Sequence, residues 1–311
     1  GTAVAALVAS VAPAAGLLSV RVTAPDGASD AFAVAQGIYA AVEAGARVIN
    51  ISLGGHATSP VLGEAIEHAI ASGAAVVAAA GNDQAAALAW PAAYPGVVSV
   101  GATDAAGRQA IFSNSGEGLQ LTAPGYVVQT KGPAGEPIGF SGTSASAPVV
   151  AGALATVLSQ SPGLSPAEAA DILASHANDG GPAGADNDYG RGTLNLGWAL
   201  ERDNPARLDP AISGQSYDPA TGAVSVVVQN RSATSLSGLA VDVSLDGRDA
   251  RRELAELAPG ASATITVPTR ILAEGETLKV VSRLALPAGL EDADESNNAR
   301  GGLANGIASR P

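Results

Sequence analysis

Residues 139–152 read GFSGTSASAPVVAG, a serine set among small residues where a long apolar run begins. The segment reads as a loop turning into a buried helix from Ser144 to Gln160, with Pro148 accommodated in the first turn, where few N–H groups are needed. A helix start leaves free N–H groups and the positive end of the helix dipole, which would face a negative oxygen forming beside Ser144. The same position also suits an ordinary N-cap serine. A hydroxyl becomes a useful nucleophile only when a base takes its proton, so the meaning of Ser144 depends on its partners. The Gly-x-Ser-x-Gly elbow is excluded, because Ser146 stands where its second glycine belongs.

The pattern around this segment is that of an α/β domain. β-Branched and small apolar runs at 47–53, 74–80, 96–102 and 119–123 predict strands, and 60–72 and 165–175 predict helices. The second of these helices opens with Ser165 as N-cap, Pro166 at the first helical position and Glu168 three residues after the cap. Strands alternating with helices over residues 1–204 imply a parallel sheet covered by helices. Past Trp198 the texture changes. Alternating runs at 223–229, 239–245, 262–267 and 277–282, separated by turn pairs such as Asp246-Gly247 and Pro259-Gly260, predict an all-β sandwich over 205–311, joined through a linker at 202–205.

Composition narrows the function. The chain has 311 residues, 47% of them apolar and 14% charged, enough to build a core in each part. Aromatics make up only 3%, so packing rests on close backbone approach and small aliphatic side chains. A net charge of -13 argues against a nucleic-acid partner and against an anionic membrane surface. No membrane span is expected, because Pro148 and Gly152 interrupt the longest apolar run. The absence of cysteine excludes disulfides and thiolate metal sites. With Gly1-Thr2-Ala3 at its start and no methionine, the sequence is expected to lack an upstream part.

Two loops that follow predicted buried strands belong at the carboxyl edge of the sheet, where open α/β folds place their sites. One is AAGND at 79–83, the other GTSAS at 142–146. Glycine before Asn82 lets the backbone turn close to a ligand, and an asparagine amide is a neutral donor suited to a developing oxyanion.

GTSASAPVVAG resembles the serine motif of the subtilisin-like serine peptidases, and VAAAGND their oxyanion-hole segment, in the order that family shows. NISLGG at 50–55 is similar to their substrate-binding strand. WPAAYPGVVSVGATD at 90–104 resembles the segment bordering the specificity pocket, with FSNSG at 112–116 and APG at 123–125 as followers. The resemblance spans about 1–200 and implies a subtilisin-like parallel sheet flanked by helices. It makes Ser144 the nucleophile and Asn82 the oxyanion donor. Ser52, Leu53, Gly54 and Gly55 would pair with an extended polypeptide substrate, while Ala79, Ala80 and Gly81 would line a pocket with room for a sizeable apolar side chain.

GTAVA at the start is similar to the residues that follow the family's catalytic histidine, so the histidine, the aspartate motif and their strands are expected to lie before Gly1. The three histidines present, His56, His68 and His176, read as surface or helix-end residues, with His56 nearest the presumed cleft. On this reading the chain alone is catalytically incomplete, and its first domain is expected to expose unpaired strand edges. No cofactor is required. A structural calcium ion is possible, but Asp186-Asn187-Asp188 does not complete a calcium-loop pattern. EDADESNNAR at 291–300 resembles the terminal strand signature of bacterial adhesion-related Ig-like domains of the CARDB type, which implies a spacer or a cell-surface contact. The resemblance to secreted peptidases implies an extracellular location. The competing reading is a non-catalytic surface or adhesion protein built on a degenerate peptidase core.

Overall fold

The computed structural model describes residues 1–306 and divides into two units, one of Gly1–Ala177 with Asp186–Ala199, the other of residues 178–185 with those from 200 onward. In the first unit, strands β1 (Val48–Ile51), β2 (Ala75–Ala79), β3 (Val98–Thr103) and β4 (Leu121–Pro124) form a parallel sheet in chain order. β2 and β3 are buried along their whole length, as a parallel sheet covered on both faces requires.

Helices supply that cover. α1 (Thr2–Val11), α2 (Ala31–Glu43), α3 (Pro60–Ala71), α4 (Thr143–Gln160), α5 (Pro166–Ser175) and the short α6 (Leu196–Leu200) surround the sheet. Val34 and Ile38 of α2 with Leu62 and Ile66 of α3 form one apolar cluster with Val76 and Ala78 of β2. α4 packs across all four strands and against α1. A Cβ at Gly152 would stand 2.8 Å from Val11 Cβ, so glycine is what lets α1 and α4 approach. α4 starts at Thr143, which makes Pro148 its sixth residue, beyond the first turn. The ring therefore removes the helical bond that would have reached the Ser144 carbonyl.

The Ser165 capping box forms in full. Ser165 Oγ accepts from the Glu168 N–H at 3.2 Å, and Glu168 Oε2 accepts from the Ser165 N–H at 2.8 Å. Those bonds from the Ser165 backbone and hydroxyl hold the Glu168 carboxyl below its ordinary range. α1, α2 and a hairpin of β5 (Val128–Lys131) with β6 (Pro137–Phe140) were not anticipated from the sequence. The hairpin ends directly before α4, and Thr130 Oγ1 donates to the Ala3 carbonyl at 3.1 Å, tying it to α1. β1 pairs with β2 alone, leaving its other edge open among the described residues, and Leu17 and Leu18 are 52% and 57% exposed.

The second unit is antiparallel. β7 (Pro210–Asp218), β8 (Ala223–Asn230) and β11 (Ser262–Pro268) form one sheet. β9 (Ala240–Leu245), β10 (Arg248–Glu253), β12 (Thr277–Ala285) and β13 (Ala299–Asn305) form the other. Asp246 and Gly247 join β9 to β10 with φ of 49° and 83°, the mirror-turn geometry that matches strand twist. Val226, Val228, Leu239, Val241, Val243 and Val280 belong to one core. The 291–300 stretch forms a 3₁₀ turn at Glu295–Asn297 that leads into β13.

Candidate active site

Three segments converge at the carboxyl edge of the first sheet. Ser52–Gly55 leaves β1, Ala80–Asp83 leaves β2, and Gly142–Ser144 opens α4. Ser52–Gly55 is anchored at its end, where Gly55 and Trp90 exchange N–H···O bonds of 2.9 Å each. Ser144 is half-buried, and its hydroxyl donates to the Ser52 carbonyl at 3.0 Å, so the serine closes directly onto this segment.

The Asn82 amide is held by the residue preceding that serine. The Thr143 N–H donates to Asn82 Oδ1 at 2.8 Å, and Thr143 Oγ1 lies 3.1 Å from the same oxygen. The Gly81 N–H in turn donates to Thr143 Oγ1 at 3.2 Å. With its carbonyl oxygen occupied, the Asn82 amide has its nitrogen as its donor, the polarity an oxyanion would need, and Asn82 and Ser144 line the same cleft. The Ser144 N–H lies in the first turn of α4, where helix N–H groups have no intrahelical acceptor.

A residue that sequence reasoning passed over shapes this loop. Asn114 is buried, its Oδ1 accepts from the N–H groups of Asp83 (2.8 Å) and Ala85 (3.1 Å), and its own N–H donates to the Gly81 carbonyl at 3.0 Å. The stretch FSNSG was noticed as a segment, but the sequence separation of 31 from Asp83 to Asn114 hid the contact. Gly81 sits at φ 113°, and a Cβ there would collide with the Asn114 amide.

A cleft of about 220 Å³ opens at this junction. Leu53, Gly54 and Gly55 line it together with Ala79, Gly81, Asn82, Thr143 and Ser144. Two residues expected to line the site meet it differently. Ser52 takes part through its carbonyl, and Ala80 is fully buried outside the lining, its N–H bonded to the Val100 carbonyl and its own carbonyl to the Ala89 N–H. His56 and Asp83 also line the cleft.

The other histidines are engaged elsewhere. His68 packs against Tyr39 with ring centroids 5.1 Å apart. His176 donates from Nδ1 to the Ile172 carbonyl at 2.8 Å and meets Trp198 edge-on. In the 186–188 turn, Asp186 Oδ1 accepts from the N–H groups of Asp188 and Tyr189, a local Asx arrangement. No helix among the described residues is long and apolar enough to cross a membrane.

A family model described as the subtilase family matches residues 1–192. Subtilisin BL of Lederbergia lenta is 38% identical over 188 residues, covering 60% of this chain and 69% of that protein. Subtilisin E of Bacillus subtilis strain 168 is 36% identical over 198 residues, 62% of this chain and 51% of that one. Among solved structures, a lanthipeptide protease aligns with a TM-score of 0.60 at 27% identity, over 65% of this chain and 75% of its own. The prenylagaramide maturation protease PagA aligns at 0.52 and 30% identity, over 56% and 68%.

Proposed function

The chain belongs to the subtilase family, and from that premise we propose that it carries the nucleophile half of an extracellular serine endopeptidase, with Ser144 as nucleophile and Asn82 as oxyanion donor. The observation that carries the assignment is the pair of bonds from Thr143 to Asn82 Oδ1 immediately before Ser144. They leave the amide nitrogen as the group with donor capacity in the cleft that Asn82 and Ser144 both line, and preorganised donors of this kind contribute the largest single share of acyl-transfer catalysis.

An extended polypeptide pairs with Ser52–Gly55 as an added strand and presents its carbonyl to Ser144 Oγ. Oγ adds to the carbonyl carbon, and its proton passes to a base and then to the departing amine. The negative oxygen is held by Asn82 Nδ2 and the Ser144 N–H. Water then enters by the same route and releases the acyl group, so no cofactor is needed.

The Ser144 proton rests on the Ser52 carbonyl. We assign the base to a histidine ahead of Gly1, oriented by an aspartate, as the resemblance of GTAVA implies. The 311 residues by themselves then turn over peptide two to four orders of magnitude more slowly than a version supplied with that segment, roughly the worth of general-base assistance. The second unit is read as an Ig-like sandwich of the CARDB type that serves as a spacer or surface contact.

Fluorophosphonate labelling tests the assignment. Labelling is expected to be slow for the 311-residue chain, fast once a His- and Asp-bearing segment precedes Gly1, and lost from both on Ser144→Ala. Labelling that survives Ser144→Ala would refute the role of Ser144, and fast labelling of the 311 residues alone would refute the assignment of the base.

A further inference from the structure

We propose that Asn50 is a positioning residue for Ser144, acting through Ser52; the inference rests on the peptidase reading above. β1 reads Val48-Ile49-Asn50-Ile51, three β-branched residues and one asparagine, a poor strand former. Ile49 and Ile51 are buried in the cluster that α2 and α3 share. Side chains alternate along a strand, so Asn50 stands on the opposite face, where its amide meets Ser52. Asn50 Nδ2 donates to Ser52 Oγ at 2.9 Å, while Asn50 Oδ1 is buried with no hydrogen-bond partner among the described residues.

A buried acceptor without a donor costs stability. A strand position that breaks both local propensity and polar pairing is the kind of exception expected at a functional site. What Asn50 serves is the exit of β1. Ser52 carries two bonds at once: its Oγ accepts from Asn50, and its carbonyl accepts from Ser144 Oγ at 3.0 Å. The amide ties Ser52 back to the strand, and through the Ser52 carbonyl that tie selects one rotamer of Ser144. The selected rotamer fixes where Oγ stands in the cleft that Ser144 lines. Without the tie the hydroxyl samples its three staggered positions, and the poised fraction falls about threefold.

Saturation kinetics of fluorophosphonate labelling separate binding of the probe (KI) from its reaction with Ser144 (kinact). In the 311-residue chain Asn50→Ala is expected to lower kinact about threefold and to leave KI unchanged. Ser52→Ala keeps the carbonyl but removes the hydroxyl that Asn50 holds. It should lower kinact by the same factor, and the double variant should lose no more than either single one. An unchanged or faster kinact in Asn50→Ala, losses that multiply in the double variant, or a risen KI with kinact intact overturns the proposal and leaves the peptidase reading standing. If Asn50→Ala fails to fold, Ser52→Ala decides: a threefold fall in kinact at constant KI supports the tie, and a parent-like kinact overturns it. Labelling that survives Ser144→Ala refutes the peptidase reading, and the role of Asn50 falls with it.

Discussion

Replacing Gly81 with alanine separates two costs that the fold combines at one residue. Gly81 has φ 113°, a region where a Cβ meets its own backbone at about 1–2 kcal/mol. The added methyl would also stand 2.9 Å from Asn114 Cγ and 3.1 Å from Ala89 Cβ, and would clash with Asn114 Nδ2. Overpacking against a buried side chain adds about 1–3 kcal/mol, so Gly81→Ala is expected to destabilise the first unit by about 3 kcal/mol. Gly73→Ala supplies the reference. Its φ is 83° with nothing within 4 Å of the new Cβ, so it costs about 1 kcal/mol through backbone alone. Asn114→Ala removes the acceptor of the Asp83 and Ala85 N–H groups and costs about 2 kcal/mol. Because it also vacates the space the methyl needs, the double variant should lose about 1–2 kcal/mol less than the sum of the singles. Both tryptophans, Trp90 and Trp198, lie in the first unit, so urea unfolding followed by tryptophan fluorescence reads this unit specifically. A Gly81→Ala loss no greater than that of Gly73→Ala, or strict additivity with Asn114→Ala, would refute the contact argument.

Three further outcomes follow from the same structure. Ser165→Ala removes the hydroxyl half of the α5 capping box while keeping the backbone N–H bond to Glu168, and is expected to lower stability by about 1 kcal/mol in the same assay, whereas an unchanged midpoint would mean that solvent replaces the hydroxyl without loss. Burial raises the Asp292 pKa above its ordinary 3.8, ahead of the opposing bonds from Asp294 and Asn298, so the folded state disfavours the charged form. The stability given by protonation is complete below 3.8 and is lost as pH rises through the raised folded value; Asp292→Asn should therefore strengthen hydrogen-exchange protection of β8 at neutral pH, by a margin that shrinks to nothing in acid. The exposed pair Leu17 and Leu18 is expected to make the chain self-associate in sedimentation velocity, and Leu17→Ser with Leu18→Ser to reduce that association without lowering the unfolding midpoint; a monomeric parent chain, or a profile unchanged by the substitutions, would refute this.

The strands and helices that sequence patterning located are those whose burial is uniform or periodic. β2 and β3 are apolar throughout because both faces are covered, and β12 alternates because one face is wet. α1 escaped because its alanines and valines at 2–11 carry little amphipathic contrast and resemble any small-residue run. The β5–β6 hairpin escaped because its strands are four residues each and half exposed, too short for alternation to register. The helix at 143–160 was legible, but its first residue was not. Thr143 lies inside α4 rather than before it, which puts Pro148 at the sixth residue, beyond the first turn, where its missing N–H leaves the Ser144 carbonyl without its helical partner.

The same distinction governs the site. Ser144 and Asn82 are recognisable because each sits in a short local motif at a strand or helix end. What fixes their mutual geometry is not local: 61 residues separate Asn82 from Thr143, and 31 separate Asp83 from Asn114. An asparagine amide presents either its oxygen or its nitrogen to the cleft unless one is already engaged, and only the nitrogen stabilises an oxyanion. Thr143 occupies the oxygen twice and Asn114 pins the loop behind it, so Thr143 and Asn114 set the polarity of the donor that Asn82 would supply on the proposed assignment. Residues in that position carry no sequence signature of their own, since a threonine before a serine and an asparagine in a turn are ordinary choices. On the proposed assignment the opening motif therefore contains the nucleophile, while the competence of the oxyanion hole would depend on a threonine it contains and an asparagine it does not.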